Sequence, residues 1–168
     1  MGGVLIRAAL PRELPAIGEL RVAAYRADGY LVPPSAYAEE LRLLGADGRG
    51  EVLAAVTDGR IAGTVMLCAW PDEAEIARSP GEAEIRALAV APEARGRGIG
   101  RALLAAAVDL AAGRDVRRLL LLTRPEMQAA QRLYLDAGFR RLPELDAMPV
   151  PGLVLLAYGL PLDGGPTR

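Results

Sequence analysis

The sequence predicts an α/β (α+β) domain, because strand-like and helix-like patterns alternate along most of its 168 residues. The Asp58-Gly59 pair lies between two apolar runs, which is the pattern of a β-hairpin. Residues 84–113 contain a strand, a glycine-rich turn and an Ala/Leu-rich helix in direct succession. The strand expected at 117–123 has consecutive leucines at its centre, as in a strand that is covered on both faces. A sheet covered by helices accounts for all of these features.

The first half of the chain is predicted to begin with a strand and two helices and to continue into the hairpin. Pro11 and Glu13 open the first helix, whose apolar residues recur at helical spacing until about Asp28. The predicted elements are a strand at 4–8, a helix from Pro11 to about Asp28, a helix at about 35–44, and strands at 51–57 and 60–70.

The second half is predicted to start with an exposed, proline-bounded loop at 71–81 and then to alternate between strands and helices. Gly113 and Gly138 are expected to end the two helices of this half. The predicted elements are a strand at 83–90, a helix at 101–112, a strand at 117–123, a helix from 125 to about 137, a strand at 139–142 and a last strand at 152–160. We expect one domain over residues 1–162 and a disordered tail at 163–168.

Composition and charge exclude several classes of protein. The net charge is −1 without a basic block, so no nucleic-acid partner is expected. No apolar run has the length of a membrane span, and Arg7 interrupts the N-terminus too early for a signal peptide. We therefore expect a cytoplasmic protein without a membrane partner. Because the chain has no His and only one cysteine, Cys68, no metal site is expected, and acid–base chemistry must use carboxylates, tyrosines, water or the substrate.

The strongest functional pattern is the run Arg95-Gly96-Arg97-Gly98-Ile99-Gly100-Arg101. Its three glycines lack the Cβ atoms that would hinder positive φ angles or the close approach of a ligand. The run lies where a helix begins, so backbone N–H groups and the positive end of the helix dipole point to one place. With three arginines added, the pattern predicts a site for a phosphorylated ligand. The structural alternative is that the glycines only let the helix pack closely on the sheet.

The spacing within this run excludes two common phosphate-binding loops. A Walker loop needs a lysine after its last glycine, and the chain contains no lysine. The dinucleotide fingerprint would need a glycine in place of Arg101. The run instead fits R-x-x-G-x-G, read as Arg95, Gly98 and Gly100 after a strand that ends near Val90. This pattern resembles the acetyl-CoA-binding motif of the GNAT superfamily of acyl-CoA-dependent N-acyltransferases.

A second motif, in the expected order, supports the same resemblance. Residues 130–139 are similar to the family's A-x-x-x-Y-x-x-x-G-F segment, with Tyr134 and Phe139 at its aromatic positions. The resemblance implies the GNAT fold, a central mixed, mostly antiparallel sheet of six to seven strands with helices on both faces. In that fold the fourth and fifth strands splay apart. The resemblance also implies an N-acetyltransferase that uses acetyl-CoA as its acyl donor.

The resemblance further implies how the donor would be held. Main-chain groups of the segment Leu88-Ala89-Val90 would pair with the pantetheine arm as if it were an added strand. The N–H groups from Gly96 to Arg101 would bind the diphosphate. A backbone N–H near the end of the fourth strand would stabilise the developing oxyanion. An amine would then attack directly, without a covalent enzyme intermediate.

Two residues are candidates for proton transfer. By resemblance, Tyr134 has the place of the general acid that protonates the leaving thiolate, with simple packing on the sheet as the alternative. Glu84 stands six residues before Val90, which matches the catalytic glutamate of histone-type members. Strand alternation would place every second residue from Glu84 to Val90 on one face, where apolar neighbours raise a carboxyl pKa and Arg86 lowers it. The alternatives are that Glu82 or a chain of waters accepts the proton, or that Glu84 is paired with an arginine and has no catalytic role.

One departure from the family pattern concerns Met127, which stands where family members often carry an asparagine whose amide helps to hold the cofactor. Tyr25, Tyr30 and Tyr37 lie in the segment that usually covers the acceptor site, so they either recognise substrate or pack between helices. Cys68 is interpreted as a small buried hydrophobic residue.

The leading function is transfer of an acetyl group to a primary amine of a small molecule, peptide or protein. The alternative is a non-catalytic sensor or regulatory module that binds acyl-CoA. The sequence leaves open the acceptor and whether the donor is acetyl-CoA or a longer acyl-CoA. A homodimer through the last strands is expected by family analogy alone.

Overall fold

The computed structural model describes residues 2–31, 35–72 and 75–162. The segment Val32-Pro33-Pro34 and the predicted disordered tail at 163–168 lie outside these residues. Within the described ranges, no helix combines the length and the apolar character that crossing a membrane requires.

Strands and α-helices follow the predicted order along the described residues. The strands are β1 (Leu5–Ala8), β2 (Glu51–Thr57), β3 (Arg60–Ala69), β4 (Glu82–Val90), β5 (Arg118–Thr123), β6 (Arg140–Arg141) and β7 (Leu156–Pro161). The α-helices are α1 (Leu14–Ala27), α2 (Ala36–Leu43), α3 (Ile99–Ala112) and α4 (Gln128–Asp136). Short 3-10 turns at Pro11–Glu13, Pro92–Ala94 and Pro143–Leu145 each begin with a proline, whose fixed φ suits the first position of a helical turn.

The seven strands form one mixed sheet in the order β1-β2-β3-β4-β5-β7-β6. The pairs β1–β2, β2–β3, β5–β7 and β6–β7 are antiparallel, whereas β4 and β5 are parallel. The parallel ladder joins residues 82–85 of β4 to residues 118–121 of β5 and so covers only the first part of β4. The predicted mixed, mostly antiparallel sheet with a splay between the fourth and fifth strands is therefore confirmed.

The hairpin between β2 and β3 has the turn that its sequence predicts. Asp58 and Gly59 have φ angles of 51° and 74°, and Thr57 pairs with Arg60. Positive φ at both central residues is the requirement of a type I′ turn, whose twist matches that of the flanking strands.

The described chain divides into two compact units, and the first contains residues up to Leu67 together with Ala87–Ala107. Its core includes Ile17 of α1, Leu41 of α2 and Leu103 of α3, all fully buried. The buried Arg21 donates from Nη1 to the carbonyl oxygens of Leu41 and Leu44, at 2.9 and 2.8 Å. These bonds satisfy carbonyls at the end of α2 and join it to α1.

The second unit contains Cys68–Arg86 and the chain from Val108 onward. The leucines of β5 at 119, 120 and 121 are buried, as a strand with neighbours on both sides requires. Ile76 packs with Leu120 and Ala157 in the same core. The prediction of a single domain over 1–162 stays a prediction.

The exposed loop predicted at 71–81 is wrong in part, because Ile76 and Ala77 are buried. An isolated apolar residue in a polar, proline-bounded segment produces no periodic signal, so its burial depends on contacts that the local sequence does not show.

Several predicted elements are too long at their ends. Helix α4 begins at Gln128 rather than 125, since Met127 N–H donates to Arg124 O at 3.1 Å and closes a turn first. The last strand begins at Leu156 rather than 152, because Gly152 has a φ of 84° in a turn that Leu153 N–H closes onto Val150 O. Turn residues inside a predicted strand therefore shorten it.

Candidate active site

The glycine-rich turn of the first unit connects the end of β4 to α3. Gly96 and Gly98 have left-handed φ angles of 79° and 77°. A Cβ atom built on either glycine would meet no atom of the described residues within 4 Å. The space beside these glycines is therefore not taken by packing, which argues against the interpretation that they only allow the helix to approach the sheet.

The close approach of α3 to the sheet depends instead on Gly63 of β3. A Cβ there would lie 2.9 Å from Leu103 Cδ1, 3.0 Å from Ala89 O and 3.1 Å from Ile99 Cγ2. Gly63 is thus the packing glycine of this region, and it leaves Gly96 and Gly98 available for a ligand.

The first turn of α3 presents main-chain donors to the glycine-rich turn. Ala102 N–H donates to Gly98 O at 3.0 Å, which is the start of the helical ladder. The N–H groups of Ile99, Gly100 and Arg101 precede that bond and point out of the N-terminal end, where the helix dipole is positive. Ile99 is buried and anchors this end of the 14-residue helix. The arrangement can bind a phosphate group.

The three arginines of the turn have different surroundings. Arg95 donates from Nη1 and Nη2 to the Asp28 carboxylate at 2.7 and 3.0 Å and from Nη2 to Ala24 O at 3.2 Å. Its guanidinium is therefore directed to the end of α1, where it forms an ion pair. Arg97 and Arg101 are exposed. We expected all three arginines to bring positive charge to a phosphate, but the charge of Arg95 is paired with Asp28 instead.

The end of β4 carries the segment predicted to pair with the pantetheine arm. Ala89 is buried, and Leu88 and Val90 are half-buried. Ala87 has a φ of 52°, which interrupts the regular pleat of the strand. The prediction of one continuous face from Glu84 to Val90 is therefore wrong, because strict alternation holds only within a regular strand.

Glu84, in the second unit, is a buried carboxyl with only 1% of its surface exposed. The N–H groups of Glu75 and Ile76 donate to its Oε2 at 2.5 and 3.3 Å. Burial and the negative charge of Glu75 raise its pKa to about 7, although these two hydrogen bonds and Arg86 act in the opposite direction. Since both donors are directed to Oε2, Oε1 is the oxygen better placed to accept a proton.

Glu82 is in a different electrostatic state. Its carboxylate accepts from Arg78 N–H and Ser79 Oγ at 2.9 and 3.1 Å and from Arg118 Nε at 2.9 Å. Burial alone would raise its pKa, but these donors outweigh burial and hold the pKa of Glu82 below its usual value. Such a carboxylate is a weak base at neutral pH, so this environment favours Glu84 over Glu82.

Tyr134 of α4 is buried between two other rings of the second unit. Its ring centroid lies 6.0 Å from that of Phe139 and 6.1 Å from that of Tyr158. The Tyr158 hydroxyl donates to Gln131 Oε1 at 2.9 Å, so Gln131 and Tyr158 together hold one side of the aromatic group. The motif A-x-x-x-Y-x-x-x-G-F thus brings Tyr134 and Phe139 into contact.

The start of α4 is held by groups other than an asparagine amide. Gln131 Nε2 donates to the carbonyls of Arg124 and Pro125 at 3.1 and 3.0 Å. Thr123 Oγ1 donates to Met127 Sδ at 3.5 Å. Met127 therefore has a structural contact of its own at the end of β5.

The tyrosines at 25, 30 and 37 form one cluster in the first unit. The ring centroid of Tyr25 lies 6.3 Å from that of Tyr30 and 6.1 Å from that of Tyr37. These contacts fit packing between helices, and Tyr37 is half-buried, so substrate recognition by this cluster stays a prediction. Cys68 is buried, as predicted.

The sequence analysis did not identify Glu75 and Asp28, which contact the candidates Glu84 and Arg95, or Gln131, which accepts a hydrogen bond from Tyr158 next to Tyr134. Glu75 lies in the segment expected to be an exposed loop, and Asp28 is 67 positions from Arg95. Gln131 lies within the recognised second motif, three residues before Tyr134, which is the only local signal among the three.

A sequence profile described as Acetyltransferase (GNAT) family matches residues 14–139. A curated relative, mycothiol acetyltransferase from Thermobifida fusca, is 33% identical over 144 residues. That match covers 84% of this chain and 41% of the relative, so the chain spans less than half of the relative's length.

Two solved structures show how widely the fold is shared. Ribosomal-protein-alanine N-acetyltransferase from Brucella melitensis is 28% identical, with a TM-score of 0.68, and the match covers 94% of this chain and 99% of that one. A Salmonella typhimurium protein, solved with its cofactor acetyl-CoA, is 23% identical with a TM-score of 0.66 and coverage of 99% and 98%.

Proposed function

The chain belongs to the acetyltransferase (GNAT) family, and on that premise we propose that it transfers an acetyl group from acetyl-CoA to a primary amine. The observation that carries this proposal is the turn at Gly96 and Gly98. Both glycines have left-handed φ angles, both have open space where a Cβ would stand, and both precede the N-terminus of α3. A family relative solved with acetyl-CoA supports this choice of donor.

The donor would be bound mainly by main-chain groups. The N–H groups from Gly96 to Arg101 bind the diphosphate, with Arg97 and Arg101 supplying exposed positive charge. Arg95 acts through its ion pair with Asp28, which fixes the turn against α1. Main-chain groups of 88–90 pair with the pantetheine arm, and the break in the pleat at Ala87 supports a departure from ordinary strand pairing there.

Glu84 and Tyr134 are proposed to move the protons. Glu84 accepts a proton at Oε1 from the substrate ammonium, for which a pKa of about 7 is well matched to neutral pH. The amine lone pair then attacks the thioester carbonyl carbon, forming the C–N bond, and the C–S bond breaks. The Tyr134 hydroxyl donates a proton to the leaving sulfur, so CoA departs as a thiol, and the second proton that the attacking nitrogen loses as the amide forms restores the tyrosine hydroxyl. The buried aromatic surroundings of Tyr134 support this role by excluding water.

The acceptor class stays broad, because the relatives differ. One is named for mycothiol and another for an alanine of ribosomal proteins. A suitable panel therefore contains small primary amines, amines that carry a thiol, and peptides that begin with alanine. Longer acyl-CoA donors belong in the same panel. A cytoplasmic location and a homodimer remain predictions.

The experiment combines binding and turnover. Calorimetric titration with CoA measures affinity, and chromatography measures CoA released from acetyl-CoA with each amine, so that thiol-bearing amines do not interfere. We expect saturable binding and release above the rate of hydrolysis with at least one amine, with mass spectrometry showing an acetylated product. Binding without release on every amine would support the acyl-CoA sensor instead. No binding at millimolar CoA would refute the proposal.

A further inference from the structure

Glu75 touches the candidate base Glu84 with its main chain rather than with its side chain. The Glu75 N–H donates to Glu84 Oε2 at 2.5 Å, and the neighbouring Ile76 N–H donates to the same oxygen at 3.3 Å. The Glu75 side chain is 41% exposed, whereas Glu84 is buried. The position of the carboxyl therefore depends on where the Glu75–Ile76 main chain is held.

Arg86 fixes that main chain through the Glu75 side chain. Arg86 Nη2 donates to Glu75 Oε1 at 2.6 Å, and only 9% of the Arg86 side chain is exposed. Arg86 lies two residues after Glu84 in β4, before the interruption at Ala87, so both side chains leave the strand on the same face. Glu75 is thus held at two points, by Glu84 at its N–H and by Arg86 at its carboxylate.

We propose that the Glu75–Arg86 ion pair is a positioning device for Glu84: it holds the N–H groups that orient the carboxyl and balances the charge beside it. The inference rests on the proposed function, because it assigns Glu75 and Arg86 to the support of the base. Neither residue touches the reacting atoms in this scheme.

The charges around Glu84 oppose each other. Beyond burial, which is the largest effect, the negative charge of Glu75 raises the pKa of Glu84 and the positive charge of Arg86 lowers it. Glu82, two residues earlier on β4, is paired with Arg118 of β5. Leu120, which is opposite Glu84 in β5, and Ile76 are apolar. Removing Glu75 therefore takes a negative charge away from Glu84, and removing Arg86 takes a positive charge away from it.

This balance distinguishes a positioning device from an ion pair that only fastens the loop. Glu75→Gln keeps the backbone N–H and removes the negative charge, so the pKa of Glu84 should fall by about 0.5 pH unit. Arg86→Gln should raise it by about the same amount. The double variant should return close to the wild-type value. Arg86→Lys, which keeps the charge, is the conservative control and should also stay close to it.

The experiment titrates Glu84 directly by NMR in protein labelled at the glutamate side-chain carboxyl carbon, with the signal assigned by its loss in Glu84→Gln. The pH profile of kcat/KM is measured on the same variants. Opposite shifts in the two single variants, in both measurements, support the proposal. Shifts in the same direction, or no shift in Glu75→Gln, overturn it.

The NMR readout also separates this proposal from the assignment of the base. If the NMR titration shifts in opposite directions while the rate profile stays unmoved, the charge balance is supported and the catalytic role of Glu84 falls. Thermal melting checks that each variant is folded. If Arg86→Gln does not fold, Glu75→Gln and Arg86→Lys decide: a fall in the first and no change in the second support the proposal.

Discussion

Replacing Gly98 with alanine tests whether the turn at the start of α3 binds acetyl-CoA. The φ angle of 77° is unfavourable for any residue with a Cβ, at a cost of about 1–2 kcal/mol. Because the new Cβ would meet no atom of the described residues within 4 Å, this strain is the whole effect expected on stability. For a chain of this length it should lower Tm by about 2–4 °C per kcal/mol. The methyl group would also occupy the space in which we place the diphosphate, so CoA should bind at least about tenfold more weakly.

Gly48 provides a matched control for this prediction. Its φ is 80°, and a Cβ there also has open space among the described residues, so Gly48→Ala should show the same loss of Tm. CoA affinity is measured by calorimetry and Tm by scanning calorimetry for both variants. Gly48→Ala should bind CoA normally. If Gly98→Ala loses the same Tm but keeps its CoA affinity within about twofold, the turn does not contact the ligand and the reasoning fails.

Three further predictions concern the other candidates. Tyr134→Phe should lower kcat by about tenfold or more, with Tyr158→Phe as the control that removes the neighbouring hydroxyl; equal rates for Tyr134→Phe and wild type would remove Tyr134 from the mechanism. Glu84→Gln should flatten the dependence of stability on pH. The pKa of Glu84 is about 7 in the folded protein and the usual value is 4.5, so between these pH values the folded protein binds more protons than the unfolded chain. The free energy of unfolding of the wild type should therefore fall by up to about 3 kcal/mol as the pH rises across this range. Denaturant unfolding across that range would contradict this if the variant kept the wild-type slope. Asp28→Ala and Arg95→Ala should raise the KM for acetyl-CoA by similar, non-additive factors and leave kcat nearly unchanged, whereas a much larger effect of Arg95→Ala would mean that Arg95 binds phosphate directly.

The elements that the sequence predicted best are those with strong local signals. The Asp58-Gly59 turn fixes the hairpin because both residues readily adopt positive φ. The apolar leucines of β5 predict a covered strand without reference to the rest of the chain. The segment 71–81 was predicted to be an exposed loop, which is wrong at Ile76, because Ile76 packs with Leu120 and Ala157, which lie far away in the sequence.

In the candidate site, too, residues in local motifs were predicted and residues that depend on distant contacts were not. The glycine-rich turn and the segment around Tyr134 are contiguous motifs, so their residues could be identified from spacing alone. The alternation from Glu84 to Val90 failed at Ala87, where no sequence signal marks a left-handed residue. Glu75 and Asp28 were missed because their roles depend on partners that only the folded chain brings near.

Gly63 has a consequence for how variants of this protein should be interpreted. Because Gly63 in β3 has no Cβ, the first turn of α3 can approach β3 and Ala89 closely. Donor affinity would then depend on a core position that makes no bond to the donor. A survey limited to residues around the diphosphate would overlook it, and a mild packing defect at this glycine would resemble a loss of ligand contacts.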